Sequence, residues 1–175
     1  IRRVSIDLTG LPPSIEEVDA FVADQSQEAY SRVVDRLLGS PRYGERMAAW
    51  WLDGARYGDS HGYDNDLENA QWPWRNWIIE SFNANQTYDQ FVTWQLAGDL
   101  MPDASDDQIV ATGLNRVHRI QTEGGASDPE WREQHGMDRV ETIGSAILGW
   151  TLSCATCYDH KFAPTSQRGC FHLVA

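Results

Sequence analysis

The stretch CATCYDHKF, residues 154–162, places two thiols, a phenol, a carboxylate and an imidazole close together. Cys154 and Cys157 have the C-x-x-C spacing at which each thiol can add to one vinyl group of a c-type haem, with an axial ligand drawn from the same turn. Histidine normally follows the second cysteine of such a site. Here that position is Tyr158, and the histidine arrives at His160. A tyrosine phenolate and a histidine imidazole can each ligate haem iron, so both are proximal candidates.

Two other chemistries use the same residues. Cys154, Cys157, His160 and Cys170 make a Cys₃His set of the kind that holds zinc, with His172 as a spare. A C-x-x-C dithiol can also be a redox pair, although such pairs usually open a helix after a strand, and this one follows a long helical stretch. All three cysteines lie in the last 22 residues, so they point to one local site and not to a disulfide framework spread over the fold.

A ligand on the opposite face of a haem would come from elsewhere in the chain. The candidates are His118, His61, His135, Met137 and Met101, because His and Met are the usual axial partners, and His118 precedes Gly124-Gly125, where backbone can approach a ligand closely. Each also has a plain structural reading, as a helix cap, a surface imidazole or a core-filling thioether.

The elements that must position these residues read as helices. PPSIEEVDAFVAD has a capping box in Ser14 and Glu17, with Ile15, Val18, Phe21 and Val22 on one face. SQEAYSRVVDRLLG turns Tyr30, Val33, Val34, Leu37 and Leu38 inward and stops at Gly39. Residues 43–58 suit a helix buried on more than one side through Met47, Trp50, Trp51 and Ala55. Further helices are predicted at 74–84 and 88–98, and Ser105 with Gln108 forms a second capping box. Asp128 as N-cap and Pro129 at the first helical position open one long helix that delivers the chain to Cys154. The fold class expected is all-α, a single multi-helix domain over residues 1–175 with long loops and the haem site near its C-terminus.

Between the helices, DSHGYDNDLENAQWP is an acidic loop. Asp64, Asp66 and Glu68 alternate as in a calcium loop, but Asn69 and Arg75 stand where the turn Gly and the bidentate Glu are required, so a solvated loop is the better reading. The eight Trp supply core area or, for some of them, a lining for a flat cofactor.

A formal charge of -12 opposes a phosphate backbone or anionic lipid as a partner, since both need a basic patch that the sequence does not show. No apolar run approaches a membrane span. The opening IRRVSIDLTG has no initiator Met and no signal-peptide pattern, and reads as the start of a fragment or a processed part of a larger polypeptide. Neither a Ser-His-Asp order nor a phosphate-binding Gly-rich loop nor H-E-x-x-H is present to support hydrolase chemistry.

Five stretches carry a resemblance: RRVSIDLTGLPPSIEEVDAF, SPRYGERMAAWWLDGARYGDSHGY, WPWRNWIIESFNANQTYDQFVTWQLAGDLMP, ATGLNRVHRIQTEGG and DRVETIGSAILGWTLSCATCYDHKFAPTSQR. Through them nearly the whole chain resembles the second type of planctomycete cytochrome-c-like domain, a family of largely unknown function. That family ends this region in Cys-x-x-Cys-His-Asp-His-Lys, which implies covalent haem c at Cys154 and Cys157. Its proximal histidine falls on Tyr158, so that role does not carry over; its second histidine matches His160, and His118 matches a recurring family histidine. Gly169-Cys170-Phe171 stands where the family usually has two aromatic residues, which marks Cys170 as a packing position and weakens zinc.

The expectation is therefore a mono-haem c-type cytochrome domain that passes electrons to a redox partner protein or an adjacent domain, with an oligomer also possible. The alternatives are a haem enzyme acting on peroxide or a small nitrogen species, and a zinc-bound structural or interaction module. The resemblance implies a periplasmic or extracellular location, as haem attachment does.

Overall fold

A computed structural model describes residues 1–125 and 127–174. The described chain is all-helical, a single domain without strands; one isolated antiparallel bridge, Ser60 to Glu68, closes the acidic loop. The helices are α1 (Arg2–Thr9), α2 (Ile15–Ala23), α3 (Ala29–Leu38), α4 (Pro41–Gly54), α5 (Trp72–Asn83), α6 (Tyr88–Ala97), α7 (Asp106–Ala111), α8 (Asp128–Ile143) and α9 (Gln167–His172). No helix is long and apolar enough to cross a membrane.

Local sequence explains most of the boundaries. Ser14 accepts from the Glu17 amide while Glu17 reaches back to the Ser14 amide, and Ser105 with Gln108 repeats the arrangement at α7. Ser40 caps α4 and Pro41 occupies its first turn, where a missing N–H costs nothing. The expected helices at 74–84 and 88–98 appear as α5 and α6. The predicted N-cap Asp128 already belongs to α8, and Ser127 precedes it. α1 was not expected. Its Val4, Ile6 and Leu8 alternate, yet the turn closes because Gly10 takes a left-handed φ of 73° and returns its N–H to the Ile6 carbonyl.

The main core lies where α4 and α5 cross and α6, α7 and the 3₁₀ turn Thr112–Arg116 close over them. Ala48, Ala55, Trp74, Trp77, Ile78, Phe91, Ala111 and Leu114 are buried there. Trp77 stacks on Phe91 at 5.5 Å between ring centroids, and Trp51 meets the same ring edge-on at 4.8 Å. The fully buried Gln95 of this region is satisfied on each side: it accepts from the Trp51 indole at 3.0 Å and donates to the Phe91 carbonyl at 3.1 Å.

Two glycines make the crossing possible. A Cβ on Gly44 would lie 2.4 Å from the Ile79 carbonyl oxygen, and one on Gly113 would lie 2.5 Å from Trp74 Cβ. The helices approach this closely only because neither residue has a side chain.

Several expected inward positions face solvent. Ile15 and Val22 of α2, Tyr30 and Leu38 of α3 and Trp50 of α4 are exposed, and α2 buries no residue fully. α2 packs chiefly on α3, so one apolar stripe has too little surface to cover it. Residues 43–58 are accordingly buried on a narrower face than predicted, the face of Gly44, Ala48 and Ala55.

The largest departure concerns the approach to Cys154. The expected continuous helix stops at Ile143, widens into a single π-type turn at Gly144–Leu148, and is broken by Gly149 at φ 65°. The break returns the chain over its own helix end: Trp150 N–H bonds to the Gly144 carbonyl at 2.8 Å, and Leu152 packs where a Gly144 side chain would be. A second, smaller core forms there from Val140, Leu152, Ala155 and Cys170, with Met137 and Val174 against it.

Candidate functional site

Cys154 sits in a 3₁₀ turn, Ser153–Thr156, and Cys157 follows as its C-cap with its amide 3.4 Å from the Cys154 carbonyl. The turn forms because Ala155 is anchored in the small core, leaving Cys154 half-buried and Cys157 exposed. All three cysteines are free thiols. The Thr156 hydroxyl lies 3.6 Å from Cys157 Sγ and donates to the Ser153 carbonyl. A single turn thus presents both thiols.

Tyr158 is exposed beside this turn. The neighbouring Cys154, chiefly through its charge, with a smaller contribution from Cys157, pushes its pKa above 10. Beside free thiols, Tyr158 is therefore a phenol and not a phenolate.

His160 has a structural task. Its Nδ1 accepts the amides of Ala163 at 2.8 Å and Phe162 at 3.2 Å, and its own amide donates to the Thr165 carbonyl at 2.9 Å. Two donors on Nδ1 put the ring proton on Nε2, which leaves no free lone pair for a metal in this orientation. The loop it organises is held at its far end by Gln167, whose amide donates to Asp159 and whose side chain donates to the Thr156 carbonyl at 2.9 Å.

Cys170 is fully buried on α9 and its Sγ points to the Leu152 carbonyl at 3.9 Å. Burial raises its pKa, so it stays a thiol. Among the described residues, no group of three or more His, Cys, Asp or Glu is gathered so as to hold a metal ion. The acidic loop uses its carboxylates internally: Asp66 accepts the Gly62 amide at 2.7 Å, and Asp59 accepts the Gln71 amide at 2.7 Å and the Tyr57 hydroxyl. Burial and that bond to Asp59 push the Tyr57 pKa up to about 12.

The remaining axial candidates fall into two groups. His118 and His135 stack with centroids 4.2 Å apart, beside Trp131 and Tyr63. His118 Nδ1 donates to the Arg119 carbonyl at 3.0 Å, and its Nε2 accepts from Arg139 at 3.3 Å. Both ring nitrogens are thereby occupied. His61 lines the same cavity as His118, and its Nδ1 is buried without a hydrogen-bond partner among the described residues. Met137 belongs instead to the small core and, with Leu152, Ser153, Thr156 and Cys170, lines a cavity of about 240 Å³ beside the thiol turn. Met101 follows the 3₁₀ turn Gly98–Leu100 and lines neither cavity.

His135 provides a pH handle. Desolvation first, then the charges of His118 and Arg139, lower its pKa, against a smaller opposing effect of Asp138 and the Arg119 backbone. The folded chain takes up this proton later than the unfolded chain, so the full contribution to stability is present above about pH 6.5 and is lost as pH falls below it. We expect His135→Asn to flatten the fall in Tm between about pH 7.5 and about pH 5. Identical slopes for the two proteins would exclude His135 as the group responsible.

Residues that motif reading did not single out tie the site together. Arg56, at φ 60° just beyond α4, donates to Asp138 Oδ1 and to the Asp138 carbonyl at 3.0 Å each, and to the Thr142 hydroxyl. Arg139 bonds the Asn115 carbonyl at 2.9 Å. Arg119 and Asp138 line both the cavity at the thiol turn and the one at His118. The available signal was the recurrence of Arg beside His in the segments RYGDSHGY and NRVHR, in a chain with 14 cationic side chains against 26 acidic ones.

No curated protein and no solved structure matches the chain. The family model PSCyt2, described as a protein of unknown function (DUF1549), matches residues 1–175. Over its whole length, therefore, the chain belongs to the PSCyt2 family.

Proposed function

We propose that the chain is a mono-haem c-type electron-transfer domain, with haem held by thioethers at Cys154 and Cys157. The observation that carries this reading is the pair of free thiols on one turn in a segment that also exposes Trp150, Tyr158, Phe162, Phe171 and Leu173. Phe162 is 86% exposed. A flat apolar macrocycle is the kind of group that would cover such side chains. Each thiol adds across a vinyl double bond, sulfur to one carbon and hydrogen to the other, so attachment needs no oxidant.

The fit is good for attachment and poor for bis-histidine ligation, because His118 and His160 have their ring nitrogens otherwise engaged. Tyr158 is the ligand candidate nearest the thiols. Thioethers carry no charge, so attachment removes the influence that holds the Tyr158 pKa above 10, and ligation still requires the phenol to give up its proton. When bound, haem supplies a one-electron couple whose potential responds to ligand identity and burial. The acidic surface suits a basic redox partner, and haem attachment implies a periplasmic or extracellular site of action.

The test is an alkaline pyridine haemochrome spectrum after acid-acetone extraction of protein purified from its native source. Retained haem is expected, with complete loss in Cys154→Ala/Cys157→Ala and full retention in Cys170→Ala. Absence of haem from the native protein would overturn the reading. The engagement of the His118 and His160 rings also favours a second possibility, a five-coordinate haem acting on peroxide or a small nitrogen species; a six-coordinate low-spin ferric spectrum would exclude it.

A further inference from the structure

The cavity at His118 has a character opposite to that of the molecule as a whole. It measures about 310 Å³, the lower end of small-ligand pockets. Arg56, Arg116, Arg119, His61 and His118 line it, and Asp138, itself paired with Arg56, is the carboxylate on its wall. Arg116 and Arg119 are exposed and form no ion pair among the described residues. Three guanidinium groups have been gathered at one concavity in a chain of net charge -12.

The walls are tied to one another. The His61 amide donates to the Leu67 carbonyl at 2.8 Å, and the Ile120 amide donates to the His61 carbonyl at 3.0 Å, so the loop of residues 57–69 is fastened to the segment that carries Arg116, His118 and Arg119. Arg56 fastens the third wall, α8, through Asp138 and Thr142. His61 Nδ1 is buried with no partner on this lining, and a buried imidazole nitrogen of this kind is satisfied by a ligand atom or a water. Guanidinium groups present forked donors that match oxyanion geometry.

We infer that this cavity binds a small oxyanion, a ligand headed by sulfate, phosphate or carboxylate, held by Arg116 and Arg119 with His61 at its inner wall. The site is separate from the proposed haem attachment and does not depend on it. Within the pocket the guanidinium groups supply the charge, and the His61 ring supplies the remaining polar contact.

Isothermal titration of the purified protein with inorganic sulfate, and separately with inorganic phosphate, at constant ionic strength tests this. Saturable binding is expected with at least one of them, weakened about tenfold or more in Arg116→Gln/Arg119→Gln. Arg2→Gln/Arg3→Gln removes the same charge from α1 and is expected to bind as the unaltered protein does. Should the double variant fold poorly, Arg116→Gln alone reports on the same site, because Arg116 is exposed and forms no ion pair among the described residues. No saturable binding of either anion, equal binding by the double variant, or an equal loss in the α1 control would each overturn the proposal.

Discussion

Gly44→Ala is expected to destabilise the protein by about 2 kcal/mol or more, although helix propensity alone predicts a gain of about 1 kcal/mol at an interior helical position. The new methyl would lie 2.4 Å from the Ile79 carbonyl oxygen and 2.6 Å from Asn83 Cγ. Neither can retreat easily. The carbonyl belongs to the α5 backbone, and Asn83 is fixed by accepting the Gly44 amide at 2.8 Å and donating to the Pro41 carbonyl at 3.1 Å. Overpacking of this kind typically costs about 1–3 kcal/mol, occasionally more, which exceeds the propensity term. Gly54→Ala is the control, since a Cβ there meets nothing within 4 Å. Urea unfolding midpoints should therefore move in opposite directions for the two variants. A neutral or stabilised Gly44→Ala would mean that α4 and α5 can separate at no cost.

Trp74→Ala should cost about 3–5 kcal/mol, the range for deleting a large aromatic side chain from a core. Trp74 is 2% exposed and lies directly on Gly113, so the space it vacates has no flexible neighbour on that side to fill it. Its indole nitrogen is buried without a hydrogen-bond partner among the described residues. Trp74→Phe keeps most of the ring while removing that unpaired N–H, whose desolvation costs about 1–3 kcal/mol. The expected result is a loss for Phe well under half of that for Ala, read from guanidinium unfolding curves with unchanged slope. Equal losses would show that the six-membered ring contributes nothing beyond the methyl and would point to a partner for the indole nitrogen.

What the sequence disclosed follows from how local each cause is. Ser14 with Glu17 and Ser105 with Gln108 are contacts three residues apart, so their helix starts were readable. The end of α8 was not, because Gly149 breaks the helix in concert with Leu152 packing back on Gly144. Trp50 and Tyr30 matched a helical stripe, but no element covers the outer side of α3 and α4 at those positions. At the site, the C-x-x-C spacing identified two thiols that do share one turn. The imidazole assignments were harder. Residue type, spacing and resemblance all point to His160 and His118, whereas their availability depends on the Ala163 amide and on Arg139, partners that become visible only after folding.

The inequality of the two cores has a consequence for the order of events at the thiols. Among the described residues, eight buried side chains seal the first core, and four, one of them Ala155, seal the second. Opening free energy scales with the apolar contacts broken, so the segment from Gly144 onward can unlatch at less than the cost of global unfolding while α4, α5 and α6 stay assembled. Arg56 is the hinge pin between them, since its contacts to Asp138 and Thr142 bind the end of α4 to α8. The half-buried Cys154 thus becomes accessible through a local excursion, and a reagent or modifying enzyme can reach both sulfurs on a body that is already folded.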